Sequence, residues 1–236
     1  WQTMGTVDLH PTRDFTPIRV VALATPVLAV PPNSQFNTVQ EFIEYAINNP
    51  GKLRIGTAGP ATVPHISGLL LERKLGCKFT YVPFQGGGPA ITAVMGGHVD
   101  ATIEMVQAMV QAYQGNQLKI LASFTNDPIP GFEKIPPIGK IYPAELSSQL
   151  PYGPYFGPIV AKGTPKEIVD ILVNATEKAS KDPRWLQFCK NMLLTPVDYS
   201  GEEAIKFLDQ WTAKAAWLLY DTGVAKNNPA DFGISK

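Results

Sequence analysis

The chain has 236 residues, 44% of them hydrophobic and 17% charged, which is typical of a globular protein with enough apolar material for a sizeable core. Its 20 basic and 20 acidic residues give a formal net charge of zero. Because neutralisation of phosphates drives binding to nucleic acid, a neutral chain without a Lys/Arg cluster argues against a nucleic-acid partner. The longest apolar run, 20-VVALATPVLAV-30, falls short of the roughly 20 residues that span a bilayer, and we interpret it as a buried strand.

Apolar periodicity predicts strands that alternate with helices, and therefore an α/β fold with mixed, largely parallel sheets. The Pro- and Gly-rich segment 125–154 is too long for an ordinary loop, so we interpret it as a surface excursion or a connection between lobes. Three helices are expected to begin at capping boxes, in which a Ser or Thr and a Glu three residues later satisfy free backbone donors. The predicted boxes are Thr38/Glu41, Thr164/Glu167 and Ser200/Glu203. The predicted strands lie in 19–30, 53–57, 78–84, 99–104, 118–124 and 156–161.

The first candidate binding site is the loop 56-GTAGPATVPH-65, which joins a predicted strand to a predicted helix. Open α/β sheets bind ligands at the carboxyl ends of their strands, and a helix N-terminus offers unpaired N–H groups and the positive end of a dipole. Thr57 and Thr62 add hydroxyl donors, and Gly59 allows close approach of the backbone to a ligand. His65, in the first helical turn, either donates to an anion or caps that turn.

The second candidate is the loop 84-FQGGGPA-90, where Gln85, Gly86 and Gly87 lead into another predicted helix, with Pro89 as its first residue. Each loop alone could equally be a flexible glycine-rich turn, but two of them in one stretch favour an anion site. Neither is followed by GK[ST], and neither has the GxGxxG spacing of dinucleotide sites. A carboxylate therefore fits better than a phosphate or a nucleotide.

Two further side chains have an open interpretation. Glu104 ends a predicted strand, where it either accepts from a ligand amine or hydroxyl or caps the helix that begins near Val106. Tyr155 follows the Pro/Gly-rich segment, where an aromatic ring either walls a ligand cleft or belongs to the core.

The sequence motifs do not indicate a metal site, a cofactor site or a catalytic nucleophile. None of the three histidines is spaced with another ligand as in a metal site. Cys77 and Cys189 lack a CxxC spacing, so they are either two separate buried thiols or one disulfide. No Gly-x-Ser-x-Gly motif occurs and neither cysteine has a visible partner base, so nucleophilic catalysis is not indicated.

Four blocks follow in order: GTAGPATVPHISG after a strand, YVPFQGGGPAITAVMGGHVDA, LKILASF and YFGPIVAKGTPKEIVDIL. With the upstream stretch 14–56, they resemble the substrate-binding receptors of tripartite tricarboxylate transporters, known as Bug or TctC-like proteins. The second block is the most specific, since its tyrosine, proline, glycines and GGHVD turn all occur in order. The resemblance runs from about Asp8 to the C-terminal helix, nearly the whole chain.

The resemblance implies a two-lobed, type II periplasmic-binding-protein fold. It implies an extracytoplasmic, periplasmic receptor that is not an enzyme and has no cofactor. Such a receptor captures a small carboxylate (a dicarboxylate, an amino acid or an aromatic acid) in a cleft between lobes and delivers it to membrane permease subunits. The predicted ligand-binding residues are Thr57, Ala58, Gly59, Pro60, Ala61, Thr62, His65, Gln85, Gly86, Gly87, Glu104 and Tyr155.

The chain also departs from the family pattern. The family usually has a basic residue where Gln85 stands, more often an aspartate–asparagine region at Glu104, and a tryptophan at Tyr155. Members normally begin with a strand, a Pro–Gly loop and a helix that are absent here, so we expect an incomplete first lobe. Residues 1–30 and 155–236 would form it, and 31–154 would form the second lobe with the ligand-gripping loops.

Two consequences follow from that expectation. If the first lobe is shortened, exposed sheet edges would favour self-association and ligand binding would be weak. The rival function is an enzyme of small carboxylates that uses His65 and Glu104 as acid and base, which requires these side chains to converge directly or through one water.

Overall fold

A computed structural model describes residues 2–236 of the chain. The chain divides into two compact units: unit 1 comprises residues 1–24 and 154–236, and unit 2 comprises residues 25–153. The helices and strands, in chain order, are β1 (Phe15–Pro17), β2 (Arg19–Leu23), β3 (Pro26–Val30), α1 (Val39–Asn48), β4 (Arg54–Thr57), α2 (Val63–Leu75), β5 (Thr80–Pro83), α3 (Gly87–Met95), β6 (Ala101–Met105), α4 (Val106–Gln114), β7 (Lys119–Ser123), α5 (Ile138–Ile141), α6 (Pro143–Leu146), β8 (Tyr155–Phe156), β9 (Ile159–Ala161), α7 (Lys166–Ser180), α8 (Pro183–Asn191), β10 (Thr195–Ser200) and α9 (Gly201–Asp221).

Unit 2 is built on a five-stranded mixed sheet with the order β5-β4-β6-β3-β7. β4 pairs in parallel with both β5 and β6, whereas β3 pairs antiparallel with β6 and β7. All five residues of β3 are buried, as expected of a central apolar strand. Val27 pairs with Glu104 on one side and with Ser123 on the other, so β4, β5, β6 and β7 all end at one edge of the sheet. This α/β architecture with a mixed sheet confirms the predicted fold class, but the sheets are not largely parallel as expected, because five of the seven strand pairs among the described residues are antiparallel.

The apolar run 19–30 was expected to be one strand, but it forms two strands in different sheets. β2 belongs to unit 1 and β3 to unit 2, and the division lies between Ala24 and Thr25, whereas the predicted boundary followed residue 30. The amide of Ala24 donates to the carbonyl of Pro154 within unit 1, while the carbonyl of Thr25 accepts from Val106 within unit 2. Continuous hydrophobicity cannot show where a strand changes its partner sheet, because both halves are equally buried.

The predicted helix caps form in only one case. The hydroxyl of Thr38 accepts from the amide of Glu41 at 3.2 Å, as the capping box requires. The Thr164 hydroxyl instead donates to the carbonyl of Ala161 at 2.8 Å, and Ser200 makes no side-chain capping bond to α9. The predictions for Thr164 and Ser200 were therefore wrong, because a local turn or the backbone geometry takes precedence over the motif.

The Pro/Gly-rich segment 125–154 is packed rather than extended over the surface. It carries the two short helices α5 and α6, and residues 125–153 belong to unit 2. Its buried side chains are Ile129, Ile135, Ile138, Leu146, Leu150 and Tyr152. Buried apolar residues among the prolines therefore anchor it to unit 2, and the interpretation as a surface excursion was wrong.

Unit 1 contains two small antiparallel sheets, β10-β2-β8 and β1-β9, with α9 packed on its core. The guanidinium of the buried Arg19 pairs with Asp198 across β2 and β10. The unit exposes large apolar side chains, between 43% and 65% of whose surface is accessible: Ile159, Ile168, Ile171, Leu186, Phe188 and Met192. Self-association stays a prediction.

Helix α2 approaches β5 closely at Gly68. A Cβ placed on Gly68 would lie 2.7 Å from Oη and 2.8 Å from Cε1 of Tyr81. The Tyr81 ring also packs against the edge of the His65 ring, with centroids 4.5 Å apart. Because a Cβ at this position would overlap the packed Tyr81 ring, only glycine allows this helix–strand distance.

We therefore expect Gly68→Ala to lower the free energy of unfolding by about 1–3 kcal/mol, the usual effect of overpacking. Gly88→Ala is the matched control, because a Cβ at Gly88 meets nothing within 4 Å and Gly88 is also a helical residue. The control should be neutral or more stable by up to about 1 kcal/mol, as alanine is the better helix former. Urea unfolding of both variants measures the difference, and equal stabilities would contradict the packing argument.

Candidate ligand-binding site

Three helices begin where the three parallel strands of unit 2 end. β4 leads into α2, β5 into α3 and β6 into α4. In none of these three helices does the side chain of the N-cap residue accept a hydrogen bond from the first turn. The first-turn N–H groups and the positive ends of the three dipoles therefore point to one edge of the sheet without a capping side chain, which favours an anion there. The sequence indicated the first two helix starts as a site, and the third only through Glu104.

The loop between β4 and α2 has a bent backbone held by its own groups. Gly59 has φ +122° and Ala61 has φ +55°, so both lie outside the usual region for L-residues. The Thr62 hydroxyl donates to the Gly59 carbonyl at 2.7 Å, and this hydrogen bond stabilises the loop. The sequence had suggested the same hydroxyl as a donor to the ligand. Thr57 is 1% exposed, and its carbonyl accepts from the Phe84 amide at 2.8 Å. This hydrogen bond between Thr57 and Phe84 connects the first glycine-rich loop to the second.

The buried His65 side chain holds this loop by a hydrogen bond to its backbone. Its Nδ1 accepts from the Ala61 amide at 3.0 Å, so Nδ1 carries no hydrogen and Nε2 is the protonated nitrogen of the neutral ring. Burial lowers the pKa of His65, an effect that Glu72 partly opposes. Of the two roles left open by the sequence, the structure shows the turn-stabilising one, while Nε2–H stays available as a neutral donor.

The second loop turns at a glycine with a positive φ. Gly86 has φ +104° and is the N-cap residue of α3, which begins at Gly87, two residues before the predicted start at Pro89. Gln85 is exposed in this loop. Gly86 supports the turn because a residue with a Cβ rarely adopts such a φ.

Glu104, near the C-terminal end of β6, contacts the second loop at Gly87. A Cβ on Gly87 would lie 2.7 Å from Cδ of Glu104 and 2.9 Å from each carboxylate oxygen, so the carboxylate lies flat against the first residue of α3. The side chain is 6% exposed, and burial raises its pKa. Oε2 accepts from the Met105 amide at 3.3 Å, whereas Oε1 is buried and has no hydrogen-bond partner within residues 2–236. The carboxylate is thus only half satisfied by the protein.

Gln107 lies three residues after Glu104, in the first turn of α4. Its side-chain Oε1 is likewise buried and without a partner in the described part of the chain. Sequence reasoning missed this residue. The signal that could have identified it is a polar residue in the first turn of a helix that follows a buried strand.

His65 and Glu104 are not joined by a hydrogen bond. The hydrogen bonds of each are made to the backbone, to Ala61 and to Met105. A direct bond, one of the two arrangements that the rival enzymatic function allows, is therefore absent between these two described residues, and bridging through one water stays a prediction.

Tyr155 lies on β8 in unit 1. Its ring packs edge-on against Phe207 and Trp211, with centroid distances of 5.8 Å and 5.2 Å. Burial raises the pKa of its hydroxyl. Of the two interpretations left open, packing in the unit 1 core is observed, and contact with a ligand stays a prediction.

The two cysteines are free and buried, in agreement with the interpretation as two separate thiols. Burial raises the pKa of Cys77 to about 12, so it is an inert thiol at neutral pH. Within residues 2–236, no group of three potential ligands is placed to hold a metal ion, and none of the helices is both long and apolar enough to cross a bilayer.

This fold is that of periplasmic solute-binding proteins. It matches the crystal structure of a TctC solute binding protein from Polaromonas with a TM-score of 0.78 and 28% identity, over 93% of this chain and 74% of that one. The family model for the tripartite tricarboxylate transporter family receptor, TctC, matches residues 3–224, so the chain belongs to this family of transport receptors.

Other similar proteins fall in the same group. A UPF0065 protein in the gbd 5' region of Cupriavidus necator is 27% identical over 220 residues, which are 93% of this chain and 65% of that protein. BugT of Bordetella pertussis is 22% identical, over 93% of this chain and 66% of that protein. The chain thus spans about two thirds of the length of these curated relatives.

Two solved structures with the same fold contain a small acid. An R. palustris protein solved with adipate has a TM-score of 0.76 and 23% identity, over 92% of this chain and 71% of that one. MatC from Rhodopseudomonas palustris, with bound malate, has a TM-score of 0.70 and 21% identity, over 87% and 69% of the two chains. At these identities the likeness shows the fold.

The half-satisfied carboxylate of Glu104 should make stability depend on pH. A carboxyl whose pKa is raised on folding stabilises the protein fully below its unfolded pKa, and this contribution is lost as the pH rises through the folded pKa. We therefore expect Glu104→Gln to have a higher melting temperature than the parent at pH 8, with the difference shrinking towards pH 4. Thermal unfolding from pH 4 to 8 measures this.

Glu72→Gln is the control for that experiment. Glu72 is also buried in unit 2, but it accepts from the Phe79 amide at 2.8 Å and from Lys78 at 3.1 Å. Its substitution should lower the free energy of unfolding by about 1 kcal/mol at pH 8. If Glu104→Gln were destabilising to the same extent, the Glu104 carboxylate would have to be fully satisfied in the folded protein.

Proposed function

We propose that the chain is an extracytoplasmic receptor that binds a small carboxylate at the carboxyl edge of the unit 2 sheet and delivers it to a tripartite tricarboxylate-type permease. The observation that carries the proposal is the arrangement of three uncapped helix N-termini, α2, α3 and α4, along one edge. Membership in the TctC receptor family supports the transport role and the periplasmic location.

The chemistry of the loops favours a carboxylate over a phosphate. The predicted residues in unit 2 contain no lysine or arginine, and the histidine among them is buried, with burial lowering its pKa. The site therefore offers dipoles and neutral donors to the ligand. A single charge delocalised over two oxygens fits such a site better than a phosphate, which proteins usually bind with cationic side chains. The adipate and the malate found in two proteins of the same fold are consistent with this class.

We infer that the two loops together form one carboxylate-binding site. Residues 57–62 supply the bent backbone beside α2, and Gln85, Gly86 and Gly87 supply the start of α3. The Phe84–Thr57 hydrogen bond couples the two loops. His65 stabilises the first loop through the Ala61 amide and offers Nε2–H to the bound oxygen. This pre-organisation favours binding because little backbone freedom is lost when the ligand arrives.

Binding without turnover is the expected outcome for this site. An enzyme of carboxylates would need a paired acid and base, and the two candidates bond to backbone amides instead of to each other. Both cysteines are buried, which does not suit a nucleophile. We therefore propose a receptor that is not an enzyme.

A thermal-shift screen tests the proposal with adipate, malate, benzoate and amino acids as probes. A ligand at a hundredfold excess over its Kd stabilises the protein by about 2.7 kcal/mol. His65→Ala should weaken binding of any hit roughly tenfold, about 1.4 kcal/mol, because the Ala61 amide loses its acceptor.

His98→Ala is the matched control, since His98 is an exposed histidine of the same unit outside the predicted site. It should leave affinity unchanged. No shift with any carboxylate would overturn the proposed binding function. Turnover of a bound acid that disappears in His65→Ala would instead establish the enzymatic alternative.

A further inference from the structure

We propose that Glu104 selects ligands that carry an ammonium group beside their carboxylate, so that the unit 2 site prefers amino acids to acids without an amine. This inference rests on the proposed binding of carboxylates at the same edge, and it names the ligand class. It is carried by a buried, half-satisfied carboxylate placed against the N-terminal residue of α3.

The position of Glu104 is set by the sheet and by Gly87. Glu104 is on β6 and pairs with Val27 of the neighbouring β3, so its backbone is held on the strand. Its carboxylate lies close to the point that a Cβ of residue 87 would occupy. Each of its two oxygens is 2.9 Å from that point. The lack of a side chain on Gly87 thus makes room for the carboxylate at the start of α3, beside the second glycine-rich loop.

The protein does not complete the hydrogen bonding of this carboxylate. Glu104 is 94% buried, being 6% exposed, and one oxygen accepts only a long bond of 3.3 Å from Met105. The other oxygen accepts no bond from the described residues, and α3 makes no capping bond to any side chain. A buried acceptor without a partner is costly, and a donor brought by a ligand removes that cost.

Charge decides which donor fits best. No lysine or arginine is among the predicted ligand-binding residues, so a ligand with only carboxylates adds negative charge near a buried carboxylate. A zwitterion instead places its carboxylate at the helix N-termini and its ammonium at Glu104, and both contacts are then attractive. Electrostatics and hydrogen bonding therefore favour the same class.

Gln107 supplies a second acceptor at the same junction of β6 and α4. Its Oε1 is buried and unpartnered within residues 2–236, like Oε1 of Glu104. An ammonium has three N–H donors and needs several acceptors, whereas a hydroxyl has only one. The carboxylate of Glu104, with two acceptor oxygens of which one is unpartnered, therefore suits an ammonium better than the hydroxyl of a hydroxy acid.

Matched pairs of acids test the inference by titration calorimetry at pH 7.5. The probes are alanine and propionate, glutamate and glutarate, and phenylalanine and 3-phenylpropionate, with lactate as the hydroxyl analogue of alanine. We expect at least one amino acid to bind ten times or more tightly than its partner without the amine. Lactate should bind more weakly than alanine.

Two variants assign the preference to Glu104. Glu104→Gln keeps the size of the side chain and removes its charge, and it should reduce the affinity ratio within the best pair to about one or below. Gly87→Ala places a methyl group against the carboxylate and should reduce the same ratio by displacing it. Glu72→Gln, a buried glutamate on the later turns of α2 and outside the predicted set, should leave the ratio unchanged.

The outcomes separate this inference from the proposed function. Acids without an amine that bind as tightly as the amino acids would overturn the selection by Glu104 while leaving carboxylate binding in place. Preferential binding of lactate would do the same. If none of the probes binds, the proposed function itself fails, and the inference fails with it. A preference that survives both variants would assign it to residues other than Glu104.

Discussion

The parallel pairing of β4 with β5 and β6 is the constraint on which the site depends. Parallel strands that share a register end at one edge, so each helix that follows begins at that edge as well. The central position of β3, buried at every residue, fixes β6 in the sheet through antiparallel pairing. Three helix dipoles therefore reinforce one another, which no single loop could achieve. The glycines of the loops let the backbone turn at this edge without displacing the helices.

Two buried glutamates in unit 2 show how the same side chain supports different roles. Glu72 is satisfied by Phe79 and Lys78, and its burial is part of the packing of α2. Glu104 lies at the edge of the sheet with one oxygen unsatisfied, in a position where removal of its charge should stabilise the fold. A group that is unfavourable for stability and placed beside a ligand loop is typical of a binding residue. This contrast is the reason we propose that Glu104 contributes to the specificity of the site.

Membership in the TctC family connects this geometry to transport. Receptors need reversible binding, and under the proposed function a site made of backbone dipoles and a neutral histidine would hold an anion without a strong ion pair. Selectivity would then come from the few polar side chains around the loops. No lysine or arginine is among the predicted ligand-binding residues, and the buried carboxylate of Glu104 is the reason we propose a ligand with a compensating ammonium.

Local patterns in the sequence determined the α/β class, the two glycine-rich loops and the family, because turns, helix starts and apolar periodicity depend on neighbouring residues. They also identified Glu104, since an acid that ends an apolar strand is conspicuous. Only the tertiary structure decided that the run 19–30 forms strands of two sheets, that Nδ1 of His65 accepts from the Ala61 amide, and that Glu104 lies against Gly87. These features depend on which strands pair and which backbone groups meet across the fold. Hydrophobicity and motif spacing carry no information about such distant contacts.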